Sequence, residues 1–384
     1  MKRQGEEVTH RNRMLASIRG EPVDHVPFAP RWELWFDSAV LHGTLPERLK
    51  GLDLFGATQE MGWGIKGFKA PMYRPEVRNT NVRETVHEKD GARNTVTEYE
   101  TPFGTVSKLF RESLDLIQHG VRGLEIEHMI KGVEDYDATI HVIENTEVVP
   151  TYDELREYDA SIGDDGVPIG DAGWCPFHRL MREFVGYENT YYQLHDHPKQ
   201  FARLLKAMDE YEREVVKVAV ESPMLVLRHD GNHDSYLTPP PIFDEYFLPF
   251  FQHFTSECRK HGKLSCTHTD GNQSLLLAQI RDSGFAICEA FTSPPMTPTS
   301  IADARMVWGP EVVIWGGIAS VMLTPEFSEM EFEKHIVSLI RQAAPGNRFI
   351  MGTGDNLPTD GLLERMERVD ELCKTEGRYP VPAN

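Results

Sequence analysis

The second half of the chain repeats one pattern, in which a short apolar run ends in polar or glycine residues and an amphipathic segment follows. The apolar runs have the length of buried strands, and the amphipathic segments have the period of helices. The predicted strands are 224–228, 264–268, 285–290, 312–317 and 348–352, and the predicted helices are 243–261, 274–283, 325–344 and 360–375. Strands that alternate with helices predict a parallel sheet covered on both faces.

The first half gives the same signal more weakly. A helix is predicted at 11–19, followed by a strand at 26–29, and a later strand is predicted at 167–170. Two further strands are placed, with poorly defined limits, near residues 50–65 and 120–145. About eight strand–helix units in a chain of this length predict a TIM (β/α)8 barrel. A doubly wound sheet is the alternative, but neither GxGxxG nor GxxxxGK[ST] follows a predicted strand.

One segment of the first half has a different texture. Residues 82–111 alternate polar and apolar positions, with turn signals at Asp90-Gly91 and at Pro102-Phe103-Gly104. This pattern is typical of an antiparallel meander. We therefore predict a single barrel domain over residues 1–384, with an N-terminal β-rich excursion inserted at about residues 75–125.

Composition and charge exclude several classes of protein. Hydrophobic residues are 40% and aromatic residues 10% of the 384, which is typical of a soluble globular chain. Lys plus Arg is 40 and Asp plus Glu is 60, so a net charge of −20 disfavours nucleic acid and anionic membranes as partners. The longest uncharged apolar run, 312–323, is too short to span a bilayer. A polar N-terminus without a signal-peptide pattern and five scattered cysteines predict a reducing, cytoplasmic location.

Unusual polar residues follow the predicted strands. Functional residues of a TIM barrel lie at the carboxyl ends of its strands, where an unpaired buried charge is unfavourable without a partner or a metal. The candidates at these positions are His229, Asp230, His233, His268, Asp270, Glu289 and Asp355. His268 and Asp270 are two residues apart, so they share one face of their strand.

One hypothesis for these residues is a divalent metal held by His268, Glu289 and Asp355, with Asp270 as a competing ligand. One imidazole and several carboxylates form an open, catalytic type of site, for which zinc fits best and Mn²⁺ or Fe²⁺ are alternatives. The other hypothesis is that the same groups hydrogen-bond one another and bind a polar substrate without metal. Residue types and spacing leave both open.

The segment 229–234 also has two interpretations. Asp230, His233 or His229 can act as a general acid, a general base or a substrate anchor. Alternatively, the aspartates of this loop cap helices and stabilise turns. Trp32 and Trp35, which follow the first predicted strand, either line a substrate pocket or pack in the core.

Several motifs resemble the uroporphyrinogen decarboxylase-like superfamily. They are Arg13-Met14-Leu15-Ala16, the stretch from Gly20 to Pro27, Thr101-Pro102-Phe103-Gly104-Thr105, Val133-Glu134-Asp135-Tyr136 and Gly316-Gly317-Ile318. The resemblance covers nearly the whole chain. It implies a TIM barrel with an N-terminal excursion, in agreement with the pattern of strands and helices.

The chain departs from both of the superfamily's known chemistries. The decarboxylases carry an arginine-rich RQAGR segment after the first strand, where this chain has Arg31-Trp32-Glu33-Leu34-Trp35 and a single arginine. The zinc methyltransferases that methylate coenzyme M carry HxC and a later cysteine. The matching positions here are His268-Thr269-Asp270 and Gly354-Asp355-Asn356, so carboxylates replace the thiolates.

The segments HTDGN, CEAFTSPPM and GTGDNLP resemble the methyltransferase components of corrinoid-dependent O-demethylases. This resemblance implies transfer of a methyl group from a methoxylated compound, often an aromatic one, to the cobalt of a separate corrinoid protein. The implied cofactors are zinc, whose oxygen ligands make it a hard Lewis acid for an ether oxygen, and the partner's corrinoid. The residues expected to contact substrate are Arg31, Trp32, Trp174, Tyr236 and Asn356. The alternatives are a metal-independent decarboxylase or lyase acting on a small carboxylic acid or tetrapyrrole, and a non-catalytic protein such as a corrinoid or tetrapyrrole carrier or a scaffold.

Overall fold

The computed structural model describes residues 8–113, 123–231, 233–343 and 346–381. The chain forms two compact units. The first contains the described residues of Met1–Ala70, Asp153–Asp171 and Pro223–Asn384. The second contains those of Pro71–Tyr152 and Ala172–Ser222. The predicted insertion at 75–125 lies within the first segment of the second unit.

Strands and helices alternate along most of the described chain. The strands are β1 (Ile65–Pro71), β2 (Tyr73–Val77), β3 (Asn81–Lys89), β4 (Ala92–Thr101), β5 (Gly104–Ser113), β6 (Leu124–Glu127), β7 (Thr146–Pro150), β8 (Gly166–Trp174), β9 (Val226–Asp230), β10 (Leu264–His268), β11 (Ile287–Phe291), β12 (Val313–Ile318) and β13 (Phe349–Thr353). The α-helices are His10–Arg19, Glu33–His42, Leu54–Glu60, Tyr136–Glu144, Tyr152–Ile162, Pro176–Arg179, Tyr187–Asp196, Pro198–Glu221, Pro240–Ile242, Leu248–Lys260, Leu277–Ser283, Ile301–Trp308, Glu329–Ala343 and Leu363–Thr375. Short 3-10 helices are Glu47–Leu49, Val133–Asp135, Gly163–Asp165 and Ser320–Leu323, and π-helices are Leu180–Val185 and Phe243–Phe247.

The main sheet has the order β1-β8-β9-β10-β11-β12-β13. The neighbouring pairs from β9 to β13 are parallel, as the alternation of strands and helices predicts. Lys66 on β1 contacts Glu289 on β11, although three strands separate β1 from β11 in the sheet. Such a contact requires the sheet to curl. The alternation of strands and helices and the parallel pairs confirm the predicted α/β class and parallel sheet.

The closed eight-stranded barrel is not formed by the hydrogen-bonded ladders of the described residues. The predicted first strand, 26–29, makes one parallel bridge, between Phe28 and Met351, in place of a strand. Phe28 also accepts a backbone hydrogen bond from Gly64, next to β1, at 3.0 Å. Pro27 has no N–H, so this segment cannot continue a regular ladder.

An apolar layer fills the inside of the curled sheet. Its strand residues are Val167, Ile169, Val226, Cys266, Ile287, Val313, Trp315 and Ile350, and Met14, Ile18 and Ala29 complete the cluster. Side chains two residues apart share a face of a strand. Arg228, His268 and Glu289 therefore lie on the same face as this layer, one step nearer the carboxyl ends of their strands.

In the second unit, β3, β4, β5 and β6 form an antiparallel sheet, and β2 pairs with β7. The predicted meander is confirmed. Lys89 pairs with Ala92 across a two-residue turn in which Asp90 has φ 53° and Gly91 has φ 71°. A main-sheet strand near 120–145 was a wrong prediction. The strand in this region, β6, pairs antiparallel with β5 and so belongs to the second unit's sheet.

No helix among the described residues is long and apolar enough to cross a membrane.

Candidate active site

The polar residues predicted at strand ends converge in the first unit. Asp230 ends β9, His268 ends β10, and Glu289 lies on β11. His268 and Glu289 are direct partners in the parallel register of β10 and β11, so their side chains lie side by side. Asp355 follows β13 by two residues and reaches the same group.

Three side chains offer ligand atoms to one point. One ligand atom each from His268, Asp270 and Asp355 lies within 4.8 Å of the other two. His268 Nε2 is 3.2 Å from Asp270 Oδ2. The exposed fraction of the side chain rises from 15% for His268 to 32% for Asp270 and 49% for Asp355. The group is therefore open to solvent on its carboxylate side.

Glu289, predicted as a metal ligand, lies on the other side of the imidazole. Its Oε1 is hydrogen-bonded to His268 Nδ1, and its Oε2 accepts from the Lys66 ammonium. Arg228 Nη1 is 3.6 Å from Oε1. The Glu289 side chain is fully buried. This carboxylate therefore fixes the imidazole orientation and leaves Nε2 facing Asp270.

The Phe68 ring contacts three cationic side chains of the site. The Phe68 ring centroid is 3.7 Å from the guanidinium carbon of Arg228, 4.7 Å from that of Arg31 and 4.8 Å from Lys66 Nζ. A cation over an aromatic face is attracted by the ring quadrupole, and more strongly when it is desolvated. Phe68 therefore holds basic side chains from different elements in fixed positions.

Carboxylates outnumber basic residues in the connected network. The three basic members are Arg31, Lys66 and Arg228, and the six acidic members are Glu33, Asp171, Asp230, Asp270, Glu289 and Asp355. A protonated His268 would still leave two carboxylates in excess. The site consequently favours an additional cation over an additional anion.

The same contacts shift the pKa values of the site residues. Burial would lower the pKa of His268, but the Glu289 and Asp270 carboxylates outweigh it and raise the pKa to about 10. Burial raises the pKa of Asp230 to about 6, against the opposing effect of Arg228. Burial would also raise the pKa of Glu289, but His268 and Lys66 hold it well below its usual range.

Asp230 also contacts His268, through the His268 backbone. Its Oδ1 accepts a hydrogen bond from the backbone N–H of His268 at 3.0 Å, and its Oδ2 is 3.1 Å from Arg228 Nε. His229, between Arg228 and Asp230, points to the opposite face of β9 and packs against Phe250 with ring centroids 4.9 Å apart. The alternation of the strand thus separates these two candidates.

His233 lies in an aromatic environment. Its Nε2 is 2.8 Å from Thr267 Oγ1, and its ring contacts Phe243, Phe251 and Phe285. Burial lowers the pKa of His233 to about 3, so the ring is neutral at pH 7. Asn232, in the same predicted segment, lies outside the described residues.

The candidate substrate contacts of the first unit have different environments. Arg31 donates to Glu33 at 2.8 Å and to Asp355 at 3.0 Å, at the edge of the ligand group. Asn356 accepts from the backbone N–H of Leu34 at 3.2 Å, so it also orders the start of the helix Glu33–His42.

Two aromatic candidates of this unit contrast. Trp32 is 2% exposed and donates through Nε1 to Thr58, so it forms part of the core. Tyr236 is 84% exposed. Trp174 belongs to the second unit, where its ring is 4.8 Å from that of His178 and lies under the Arg182 guanidinium. Its contact with substrate stays a prediction.

Sequence reasoning missed Lys66, Phe68, Arg228 and Asp171. Arg228 had a detectable signal, because it shares a strand face with Asp230 and a buried arginine needs carboxylate partners. Lys66 and Phe68 lie on β1, whose limits could not be defined from the sequence, so neither residue could be placed beside Glu289.

These features define an α/β protein with a polar layer of carboxylates, histidine and buried cations above the apolar inside of its sheet. The model of the uroporphyrinogen decarboxylase (URO-D) family matches residues 122–375. The chain therefore belongs to the uroporphyrinogen decarboxylase family.

A solved structure of a methyltransferase shares the fold. A methyltransferase from Methanosarcina mazei aligns with a TM-score of 0.57 and 15% identity, over 95% of this chain and 98% of that chain. A D-psicose 3-epimerase gives a weaker likeness, with a TM-score of 0.35 and 13% identity over 62% of this chain and 86% of that chain. No curated protein sequence matches the chain.

Proposed function

We propose that this protein is a methyltransferase that moves a methyl group from a methoxylated aromatic substrate to the cobalt of a separate corrinoid protein. The observation that carries the proposal is the convergence of His268, Asp270 and Asp355 in an acidic, solvent-facing group. Family membership and a fold shared with a methyltransferase over nearly the whole chain support it. The five scattered cysteines, with no CxxC pair among them, support a reducing cytoplasm as the location.

The residues fit a divalent metal. Zinc in catalytic sites takes three protein ligands from histidine and carboxylates and keeps one position open. A ligand histidine normally donates its second ring nitrogen to a carboxylate, which here is Glu289. The excess of carboxylates also favours a cation. We therefore assign His268, Asp270 and Asp355 as ligands and place Glu289 behind the imidazole.

A bound zinc would supply Lewis acidity to the ether oxygen as that oxygen becomes a leaving group. Arg31, beside Asp355, is placed to orient the polar end of the substrate. Asp230 is on the site face of β9, next to His268. The aromatic environment of His233 separates the His233 ring from the open side of the site. Of these two residues, Asp230 is therefore the better placed proton donor. Most of the rate acceleration would come from holding these charged groups in fixed positions.

The test combines metal analysis with turnover. The purified protein, prepared without chelator, is expected to bind about one zinc per chain and to methylate a reduced corrinoid protein in the presence of a methoxyaromatic. Formation of methyl-cobalt is followed by absorbance, with chelator-treated protein as control. His268→Ala should remove metal and activity together.

Two results would contradict the proposal. Full activity of metal-free protein would exclude the metal-assisted reaction. Release of carbon dioxide from a small carboxylic acid, with no methyl transfer from any donor, would support the decarboxylase or lyase alternative. The carboxylate excess of the site argues against that alternative, since an acidic substrate would add a further negative charge.

A further inference from the structure

Lys66 is a buried cation that reaches across the curled sheet. Its side chain is 2% exposed, and its ammonium donates to Oε2 of Glu289, which is fully buried. Both charges have left water, so each depends on the other for compensation. Lys66 Nζ also lies 4.8 Å from the centroid of Phe68 and 5.4 Å from that of Trp315. Its position is therefore fixed on several sides.

The two oxygens of Glu289 have separate partners. Oε2 is bound by Lys66, and Oε1 is bound by His268 Nδ1, with Arg228 Nη1 at 3.6 Å. A carboxylate held at both oxygens cannot also turn towards the open side of the site, where Asp270 and Asp355 lie. The contact with Lys66 thus determines which ring nitrogen of His268 Glu289 contacts.

We propose that Lys66 is a positioning residue, which holds Glu289 on Nδ1 of His268 and thereby keeps Nε2 directed at the metal. The inference rests on the proposed function, because it takes His268, Asp270 and Asp355 as the ligands. It goes further, because it assigns the orientation of the His268 ring to a lysine on β1. This strand contributes none of those ligands.

The test is a double-mutant cycle on zinc affinity, measured by competition with a chromophoric chelator. Lys66→Met and Glu289→Gln should each weaken zinc binding by about 10–100-fold, the range for residues that orient a metal ligand. If Lys66 acts through Glu289, the variant K66M/E289Q should bind zinc within about threefold of E289Q, because coupled residues are non-additive.

The double variant also protects the test against misfolding. Lys66→Met alone leaves a buried carboxylate without its lysine partner, whereas K66M/E289Q leaves no such charge. Lys263→Met is the matched control. Lys263 precedes β10 at the end remote from His268 and donates to the Met224 carbonyl, so zinc affinity should not change. The absorption spectrum of the cobalt(II)-substituted protein should change in K66M and not in K263M.

The outcomes separate the two proposals. Wild-type zinc affinity in K66M, or losses in K66M/E289Q equal to the product of the single losses, would overturn the role of Lys66. A coupled loss of zinc together with no methyl transfer by the wild type would support Lys66 and contradict the methyltransferase. A wild type that binds no zinc would overturn both.

Discussion

Arg365 is a buried charge whose hydrogen-bond acceptors are mainly backbone carbonyls. Its guanidinium donates to the carbonyl oxygens of Met322 at 2.9 Å, Thr324 at 2.5 Å and Phe327 at 2.6 Å, and to the Glu329 carboxylate. The planar fork of arginine reaches acceptors in several directions, which the single ammonium of lysine cannot do. Arg365 thus joins the helix Leu363–Thr375 to the segment after β12.

Arg365→Lys should therefore destabilise the protein despite conserving the charge. Buried carbonyls left without a donor each cost about 1–3 kcal/mol, so we expect a loss of about 2–4 kcal/mol in the free energy of unfolding, measured with urea. Arg341→Lys is the control, since Arg341 is 47% exposed and its contact with Glu376 is 3.9 Å long. Equal effects of the two substitutions would show that the carbonyl contacts of Arg365 contribute little.

For individual residues, the sequence predicted which polar side chains lie together better than it predicted the contacts that each of them makes. It identified His268, Asp270 and Asp355, because unusual polar residues at strand ends are visible in a single sequence. It grouped His229 with Asp230, although strand alternation places them on opposite faces. It predicted Glu289 as a ligand, and only the structure shows that the buried ammonium of Lys66 contacts Oε2 of this residue.

Gly354 shows how the last strand places the proposed ligand Asp355. Its amide donates to the Ile318 carbonyl at 2.7 Å, which fixes the chain one residue before Asp355. A Cβ at this position would lie 2.9 Å from the Ile318 oxygen and still closer to the Thr292 hydroxyl. Only glycine allows this approach of the two strand ends.

Gly354→Ala should therefore weaken zinc binding without removing a ligand. The added methyl group must displace the loop and with it Asp355, so we expect a loss of zinc affinity of about tenfold, measured by chelator competition. Gly309→Ala is the control: Gly309 has φ 78° and open space around it. That substitution should cost about 1 kcal/mol of stability through backbone strain, with zinc affinity unchanged. A Gly354→Ala protein with wild-type affinity would refute this link.

His335 makes the contact between a helix and β12 sensitive to acid. Its Nε2 accepts the backbone N–H of Ala319, the residue after β12, at 3.4 Å. Burial lowers the pKa of His335 to about 4. Because the folded pKa is below the unfolded value, the contribution is present above about pH 6.5 and is lost as the pH falls towards 4.

His335→Gln should flatten this dependence, since glutamine can accept the same hydrogen bond and does not titrate. Between pH 7 and pH 5 the wild type should lose about 1–2 kcal/mol more unfolding free energy than the variant, by urea denaturation. Ala319 and His335 belong to the same unit, so one cooperative transition reports the contact. Parallel pH profiles of the two proteins would show that His335 does not contribute.

Among the elements, the regular part of the fold was predictable and its irregular part was not. β10 was predicted with its observed limits, because a buried parallel strand is a short apolar run between turn residues. β1 was poorly defined, because Lys66 interrupts its apolar pattern, and a lysine is ordinarily an exposed residue. The long-range pairing of Lys66 with Glu289 reverses that expectation.

For the whole molecule, an acidic surface and an acidic site restrict what can bind. The net charge of −20 repels phosphate polymers, and the carboxylate excess of the site repels acidic ligands. Both properties are compatible with a metal and with a partner that docks through apolar contacts. The loops after β9 and β10 each carry an exposed large hydrophobic residue: Tyr236 is 84% exposed and Leu275 is 60% exposed.

These two loops form one surface at the site end of the sheet, which we expect to contact the corrinoid protein. Leu275 N–H donates to the Ser235 hydroxyl at 3.0 Å, so Tyr236 and Leu275 are held near each other. Tyr236→Glu and Leu275→Glu should raise the KM for the corrinoid protein several-fold, with zinc content and the KM for the methoxy substrate unchanged. Met306→Glu is the control, because Met306 is 82% exposed and lies on a helix, Ile301–Trp308, rather than in either loop. A Tyr236→Glu protein altered only in its KM for the methoxy substrate would instead assign Tyr236 to substrate binding.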